Sequence, residues 1–213
     1  MGHERAKRAA AEQASLLVED GMRVGLGTGT TVAFLLPALA ARSLDIVCVA
    51  TSPATEKQAR SLGLDVRAFA ELERLDLAID GADQVDPAGW LVKGGGGAHT
   101  REKIVAAAAE HFVVIVSADK LVGEITPPVP LELLSFGLAS TLRQLGEVRL
   151  RPGPPSPDGG VIADWYGEIR GLAELAGRLD AQPGVVEHGL FPAEMVETVI
   201  AGDEEGGARK VKG

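Results

Sequence analysis

Short apolar runs alternate with segments of helical periodicity over the first 120 residues of the chain. The apolar runs predicted to be strands are Arg23–Leu26, Ile46–Ala50, Val66, Leu75–Ile79 and Phe112–Val116. The helical patterns around them cover Glu4–Glu19, Val32–Ala41, Ala54–Leu62 and Thr100–Glu110. Strands that alternate with helices pair in parallel, because each helix carries the chain back along the sheet. The sequence therefore predicts an α/β fold with a Rossmann-like, mostly parallel sheet and helices on both faces.

Prolines interrupt this alternation after Val122, in the segment Ile125–Pro130. Beyond them the pattern predicts helices over Leu131–Leu145 and Leu172–Leu179, and strands over Val148–Leu150, Val161–Trp165 and Val185–Phe191. If a strand starts at Val129, the order is that of a smaller ferredoxin-like α+β lobe. Strands predicted at Met195–Ala201 and Ala208–Lys212 return to the first lobe. The predicted domains are residues 1–124 with 201–213, and residues 125–200.

Composition restricts the partners that we expect. The 213 residues carry a formal net charge of −9, whereas nucleic acids and anionic membranes attract clustered basic surfaces. We therefore expect neither as a partner. No signal-peptide pattern opens the chain and no apolar run could span a bilayer, so a cytoplasmic protein is predicted.

The histidines and the cysteine do not predict a metal site. The four histidines (His3, His99, His111 and His188) are scattered without ligand spacing. The single cysteine, Cys48, lies in an apolar run and is predicted to be a buried small side chain. We therefore expect no metal site.

A glycine-rich segment, Gly25-x-Gly27-x-Gly29, follows the first predicted strand and precedes a helix. Backbone N–H groups at a helix N-terminus, together with the helix dipole, can hold a phosphate group. The segment lacks the third glycine of a dinucleotide fingerprint and the lysine of a P-loop. It therefore favours a small phosphorylated ligand, with a tight structural turn as the alternative. The predicted phosphate-binding residues are Thr28, Gly29, Thr30 and Thr31.

Two carboxylates and a lysine lie beside glycines in the next part of the chain. The strand predicted at Leu75–Ile79 runs into Asp80-Gly81-Ala82-Asp83, at the end of a strand where open α/β sheets bind ligands. Lys93 then precedes Gly94–Gly97, whose N–H groups can form an anion-binding nest while the lysine offsets a developing oxyanion. A common turn composition and a solvated lysine are the alternatives.

Glu102 and Lys120 complete the set of candidate residues. Glu102 lies in the predicted first turn of a helix after the glycines, where a carboxylate serves either as a base or only as a partner of the helix dipole. Lys120 ends the segment Ser117-Ala118-Asp119-Lys120 after the last strand of the first lobe. It adds positive charge to a phosphate pocket or lies on the surface.

Together these segments resemble ribose-5-phosphate isomerase of the A type. The matching segments are Gly25–Thr31, Asp80–Asp83, Lys93–Ala98, Thr100–Val105, Ser117–Lys120, Pro183–Val186, Gly189–Phe191 and Val199–Gly202. The resemblance therefore covers nearly the whole chain. It implies interconversion of ribose 5-phosphate and ribulose 5-phosphate without metal or cofactor, by a homodimer or homotetramer.

The resemblance also implies a role for each candidate residue. Glu102 matches the proton-transferring base, and Asp80 and Asp83 match residues that line the sugar site. The implied catalytic residues are Glu102, Lys93, Asp80 and Asp83. The implied binding residues are Thr28, Gly29, Thr30, Thr31, Asp80, Gly81, Ala82, Asp83, Lys93, Gly94, Gly95, Gly96 and Lys120.

The sequence departs from the family pattern at two places, and one other class of function competes with the isomerase interpretation. Gln84 stands where the family commonly has glutamate, and Trp165-Tyr166 precede Gly167 where valine and histidine are frequent. The competing interpretation is a non-catalytic sugar-phosphate-binding regulatory module, because the same sheet can bind a ligand without turnover. Enzymes related to amino-sugar phosphate deaminases or acyl transferases fit Lys93 and its glycines poorly.

Overall fold

The computed structural model, which describes residues 2–213, divides the chain into two compact units. The first unit comprises the chain up to Ala82 with Arg101–Leu121 and Glu194–Gly213, and the second comprises Asp83–Thr100 and Val122–Ala193. The predicted domain boundaries differ from this division at residues 83–100, 122–124 and 194–200. Strand pairing explains the difference, because residues 84–92 pair within the second unit and residues 198–202 pair with the sheet of the first.

The described residues form fourteen strands and six α-helices. The strands are β1 (Arg23–Leu26), β2 (Val47–Ala50), β3 (Asp65–Val66), β4 (Leu75–Asp80), β5 (Gln84–Val85), β6 (Leu91–Val92), β7 (Ala109–Ser117), β8 (Val129–Leu133), β9 (Val148–Leu150), β10 (Val161–Trp165), β11 (Val185–His188), β12 (Leu190–Phe191), β13 (Thr198–Gly202) and β14 (Ala208–Lys212). The helices are α1 (Gly2–Ser15), α2 (Val32–Ala41), α3 (Pro53–Ser61), α4 (His99–Ala108), α5 (Leu138–Leu145) and α6 (Leu172–Asp180).

The first unit contains one seven-stranded sheet, in the order β14-β13-β7-β4-β1-β2-β3. All neighbours pair in parallel except β14, which runs antiparallel to β13. The predicted mostly parallel sheet is thus confirmed. The chain winds outward from β1 through β2 to β3, and then continues on the other side of β1 with β4. The carboxyl ends of β1 and β4 therefore flank the point where the winding reverses, which is where sheets of this kind bind ligands.

Helices cover both faces of this sheet. Val24 and Leu26 of β1 join a buried apolar cluster with residues of α1 and α2. Gly25 between them faces the opposite side, because side chains alternate along a strand. A Cβ atom at Gly25 would lie 2.4 Å from Cγ1 of Val105, so the glycine is required for α4 to pack closely on that face. Gly25 thus serves packing, and the loop that follows β1 begins at Gly27.

The second unit contains a four-stranded antiparallel sheet, in the order β11-β8-β10-β9, and a three-stranded sheet, in the order β12-β6-β5. Along the chain the elements of the larger sheet run β8, α5, β9, β10, α6, β11, which confirms the predicted ferredoxin-like lobe. A buried apolar cluster between its sheet and helices includes Leu131, Trp165 and Leu179.

Two predicted elements of this unit are wrong. A single helix was expected over Leu131–Leu145, but the chain forms strand β8, all of whose side chains are buried, and a shorter helix that begins after Gly137. Gly137 has a φ of 69°, which favours glycine and separates the two elements. The expected strand Val185–Phe191 is divided between two sheets.

The structure also bears on the predictions about membranes and the cysteine. None of the helices in residues 2–213 combines the length and apolar composition needed to cross a membrane. Cys48 is fully buried in β2, as predicted, and burial raises the pKa of its thiol to about 12.

Candidate active site

The loops after β1, β2, β4 and β7 lie at one edge of the first unit's sheet, because these strands are parallel. They contain most of the predicted residues of this unit. The loop after β1 is Gly27–Thr31, β4 ends at Asp80, and a 3₁₀ turn, Ala118–Lys120, follows β7. The sheet therefore brings the predicted phosphate-binding residues and a carboxylate to the same edge.

Hydrogen bonds hold the Gly27–Thr31 loop against β2 and β4. The N–H of Thr28 donates to Oδ1 of Asp80 at 3.0 Å, and its hydroxyl is 2.7 Å from the hydroxyl of Thr51. Gly29 has a φ of 111°, a left-handed conformation that turns the chain into α2. Thr30 is exposed and Thr31 is half-buried, so the two residues that precede α2 are accessible to a ligand.

Two lysines of the first unit lie at this part of the structure, Lys7 beside the Gly27–Thr31 loop and Lys120 in the 3₁₀ turn after β7. Lys7 of α1 donates from Nζ to Oγ1 of Thr30 at 2.8 Å. The sequence reasoning missed Lys7, because its position in an amphipathic helix gives no sign that it contacts a loop 23 residues later. Lys120 is half-buried, and its Nζ lies 3.7 Å from Oδ2 of Asp119.

Asp80 is an almost completely buried carboxylate, with 3% of its surface exposed. Its Oδ1 accepts hydrogen bonds from the N–H groups of Thr28 and Gly81, the latter at 2.7 Å. A Cβ atom on Gly27 would lie 1.9 Å from Oδ1 and Cγ of Asp80, so only glycine allows this contact. Ala82, half-buried, ends this part of the first unit.

Glu102 lies in the first turn of α4, as predicted, and only 4% of its surface is exposed. Helix α4 leads directly into β7, which is parallel to β4, and a helix that leads into a parallel strand begins at the edge of the sheet where the strands end. One turn after Glu102, Val105 packs on Gly25 of β1. A buried carboxylate at a helix N-terminus is an unusual position for a residue that only interacts with the dipole.

The second unit contains the remaining predicted residues. Lys93, 3% exposed, follows β6, and its Nζ lies 5.4 Å from the centre of the Phe191 ring. Its N–H donates to the carbonyl of Gly189 at 2.8 Å. Gly189 is also the point where β11 ends and β12 begins, and a Cβ atom there would lie 2.1 Å from the carbonyl oxygen of Lys93.

The glycines after Lys93 form a tight turn. Gly94 has a φ of 106° and Gly97 a φ of 71°, and the N–H of Gly97 donates to the carbonyl of Gly94 at 3.0 Å. The N–H of Gly95 donates to Oδ2 of Asp83 at 2.8 Å. Gly95 and Gly96 are exposed, and so is Asp83. The turn thus holds the carboxylate of Asp83 with one of its backbone donors.

The residues that depart from the pattern of the resembled family are Gln84, Trp165 and Tyr166, and they have structural partners within the second unit. The side-chain amide of Gln84 makes hydrogen bonds with both backbone groups of Thr126, at 2.9 Å and 2.7 Å. Trp165 is buried in the apolar cluster, and Tyr166 is covered by the guanidinium of Arg149, 4.6 Å from its ring centre.

One group of potential metal ligands occurs among the described residues: Asp180, Glu187 and His188, with ligand atoms within 4.8 Å of one another. Nδ1 of His188 accepts a hydrogen bond from the N–H of Leu190 at 3.2 Å. Nε2 of the same ring lies 3.1 Å from Oδ1 of Asp180. This arrangement is that of a histidine–aspartate pair.

Comparison with known proteins is consistent with these features. The profile of ribose 5-phosphate isomerase A (phosphoriboisomerase A) matches residues 47–206. Ribose-5-phosphate isomerase A of Nitrobacter hamburgensis is 43% identical, with 92% of this chain and 93% of that protein covered. The protein of the same name from Lacticaseibacillus paracasei is 40% identical and covers 97% and 96%.

Solved structures are similar over the same length. Ribose 5-phosphate isomerase A from Neisseria gonorrhoeae has a TM-score of 0.92 at 34% identity, with 97% of this chain and 95% of that chain covered. A D-ribose-5-phosphate isomerase in complex with phospho-erythronic acid has a TM-score of 0.93 at 33% identity, with both chains fully covered. The chain therefore belongs to the ribose-5-phosphate isomerase A family.

Proposed function

We propose that this protein is an aldose–ketose isomerase that interconverts D-ribose 5-phosphate and D-ribulose 5-phosphate through an enediolate, in the non-oxidative pentose phosphate pathway. The observation that carries the proposal is the full-length similarity to isomerases, in a chain whose family-matched acid, Glu102, is buried. The relatives named above are all isomerases, and none of them supports the alternative of a non-catalytic regulatory module.

Proton transfer is assigned to Glu102. Moving the carbonyl from C1 to C2 requires a base that removes the C2 proton and returns it to C1. A carboxylate held in the first turn of a helix keeps one orientation while it carries the proton between neighbouring carbons. The burial of Glu102 supports this role, because exclusion of water limits loss of the proton to solvent.

Stabilisation of the negative charge on the substrate oxygens is assigned to Lys93 and the glycines that follow it. The enediolate carries negative charge that the neutral sugar lacks, so a cation and N–H donors lower the barrier when they face it. Lys93 is buried and the turn at Gly94, Gly95 and Gly96 has backbone donors, which supports this assignment. Asp80 is proposed to take the hydroxyl proton that opens the furanose ring, and Asp83 to hold a substrate hydroxyl.

Phosphate binding is assigned to the loop Thr28–Thr31 with Lys120. A protein of net charge −9 needs a local group of donors to hold a dianion. The contact between Lys7 and Thr30 adds Lys7 to this group. The remaining contacts of the substrate are proposed for Gly81 and Ala82, which follow Asp80 along the chain.

The test is an isomerase assay on the pure protein after treatment with a strong chelator. Ketose formation from ribose 5-phosphate should persist, and phospho-erythronic acid should inhibit it competitively. Unphosphorylated ribose should be a very poor substrate, because the phosphate contacts hold the sugar in place. Loss of activity on chelation, with recovery on addition of a divalent cation, would contradict the metal-free mechanism.

Assembly and location are proposed with the function. We propose a homo-oligomer, either a dimer or a tetramer, which light scattering at several protein concentrations distinguishes from a monomer. A phosphorylated sugar substrate supports a cytoplasmic location.

A further inference from the structure

One guanidinium group binds the carbonyl side of the glycine turn in the second unit. Nη1 of Arg151 donates hydrogen bonds to the carbonyl oxygens of Gly94, at 2.8 Å, and Gly95, at 3.0 Å. Nε and Nη2 of the same side chain donate to the two carboxylate oxygens of Asp164. Only 25% of the Arg151 side chain and 15% of the Asp164 side chain are exposed, so the group is held in one orientation.

Because of the geometry of the peptide group, these contacts also orient N–H groups of the glycine turn. A trans peptide is planar, and its C=O and N–H bonds point in opposite directions. Since Arg151 binds the carbonyls of Gly94 and Gly95, the N–H groups of Gly95 and Gly96 are directed away from the guanidinium. The N–H of Gly95 accordingly donates to Asp83 at 2.8 Å. Arg151 therefore determines the direction of two adjacent N–H donors.

Strand pairing does not depend on these contacts. Arg151 follows β9, which already pairs with β10 through Leu150, Arg149 and Val148. A run of four glycines, by contrast, has more backbone freedom than any other sequence and needs an external contact to hold one conformation. The planar fork of arginine can bind two carbonyls and a carboxylate at once, whereas the single ammonium group of lysine cannot reproduce this geometry.

We propose that Arg151 is a positioning residue for the isomerase reaction. It holds the Gly94–Gly96 peptides so that the Gly96 N–H is preorganised for the oxygens at the reacting end of the sugar, while the Gly95 N–H holds the Asp83 carboxylate beside it. Preorganised donors stabilise developing charge without reorientation during the reaction. This inference rests on the proposed function, since it assigns the turn to the enediolate oxygens and not to the phosphate.

The experiment compares Arg151→Ala, Arg151→Lys and a matched control, Arg149→Ala. Arg149 lies two residues earlier on β9, and its guanidinium covers Tyr166. For each variant, kcat and KM are measured with ribose 5-phosphate, and inhibition is measured with phospho-erythronic acid and with inorganic phosphate. Phospho-erythronic acid has a carboxylate in place of the reacting carbons, whereas inorganic phosphate probes only the phosphate subsite.

For Arg151→Ala we expect kcat to fall by roughly 10- to 100-fold, in line with misplaced donors, while KM changes less. Affinity for phospho-erythronic acid should fall by about the same factor, and affinity for inorganic phosphate should stay within about twofold. Arg151→Lys should be intermediate and Arg149→Ala unchanged. A purely structural role would instead lower the melting temperature and both affinities together.

The inference is overturned if folded Arg151→Ala keeps kcat and the affinity for phospho-erythronic acid within about twofold of the wild type. It is also overturned if both inhibitors weaken equally. If Arg151→Ala does not fold, the same comparisons are made on Arg151→Lys and Asp164→Asn, with the same two overturning results. Failure of the proposed function is distinct, because the wild-type protein would then show no isomerase activity at all.

Discussion

The backbone N–H of Thr28 donates a hydrogen bond to Oδ1 of Asp80 across 3.0 Å, joining the loop after β1 to the end of β4. The two residues are 52 positions apart in the chain. The contact links the proposed phosphate loop to a carboxylate proposed to act on the sugar. It depends on Gly27, since a side chain there would occupy the position of the Asp80 carboxylate.

Gly27→Ala is therefore expected to displace Asp80 and to lower kcat/KM by roughly 100-fold or more, since small displacements of catalytic groups are costly. The control is Gly123→Ala, because no atom lies within 4 Å of a Cβ atom placed there. Steady-state kinetics with ribose 5-phosphate measure the effect. Activity of Gly27→Ala equal to that of the control would show that the Asp80 carboxylate need not keep this position.

Glu102→Gln is expected to lower kcat by roughly two to four orders of magnitude, the usual effect of losing a general base, while substrate still binds. The amide is nearly isosteric with the carboxyl but cannot accept the C2 proton. Exchange of the C2 proton with deuterated solvent, followed by NMR, checks the same step independently of ketose release. Glu110→Gln, at an exposed position of β7, is the control. Near-full activity of Glu102→Gln would refute the assignment.

Lys7→Ala and Lys120→Ala are each expected to raise KM for ribose 5-phosphate by roughly tenfold, with much smaller changes in kcat, because phosphate contacts are shared by ground and transition states. Both variants should also weaken competition by inorganic phosphate. Lys57→Ala, on the exposed side of α3, is the control for loss of one positive charge. A drop in kcat without a change in KM would place these lysines elsewhere in the mechanism.

The ion pair between Arg23 and Asp76 is expected to make stability depend on pH. The hydrogen bond from the Arg23 side chain lowers the pKa of Asp76 in the folded protein. The unfolded carboxyl titrates near its ordinary pKa of about 3.9, so the stabilisation is present above that pH and is lost as the pH falls through the lower, folded value. The free energy of unfolding of Asp76→Asn should thus fall below that of the wild type near neutral pH and approach it in acid.

Denaturant unfolding from about pH 7 to about pH 3 measures this difference. Asp65→Asn, which removes an exposed ion pair with Arg67, is the control and should change stability little. A deficit of Asp76→Asn that persists unchanged in acid would show that the charge of Asp76 does not contribute.

Cys48 is expected to be unreactive in the folded protein. Burial raises the pKa of its thiol to about 12, and a thiol reagent needs both access and the thiolate. In a spectrophotometric thiol assay at mildly alkaline pH, the native protein should react slowly with the reagent. The denatured protein should release one equivalent of the reagent's chromophore at once. Rapid reaction of the native protein would indicate that β2 opens readily.

The predictability of the fold varied with the kind of pattern. The first unit's strands are predicted to within three residues at each end, because strands buried in a parallel sheet are continuous apolar runs bounded by glycines and charges. Strand β8 was mistaken for a helix start, because five buried residues carry no periodicity that separates the two structures. The two-residue strands β5 and β6 are too short to show a hydrophobic pattern in the sequence.

The candidate residues of the site, with their types and order, follow from the sequence alone, since Asp80, Asp83, Lys93, the glycines and Glu102 lie within 23 positions of one another. The contacts that these residues make do not follow from the sequence alone. The hydrogen bonds of Lys7 to Thr30 and of Arg151 to Gly94 join residues 23 and 57 positions apart. Such contacts depend on how strands and helices pack in three dimensions, and a side chain that acts at that distance has no local pattern that marks it.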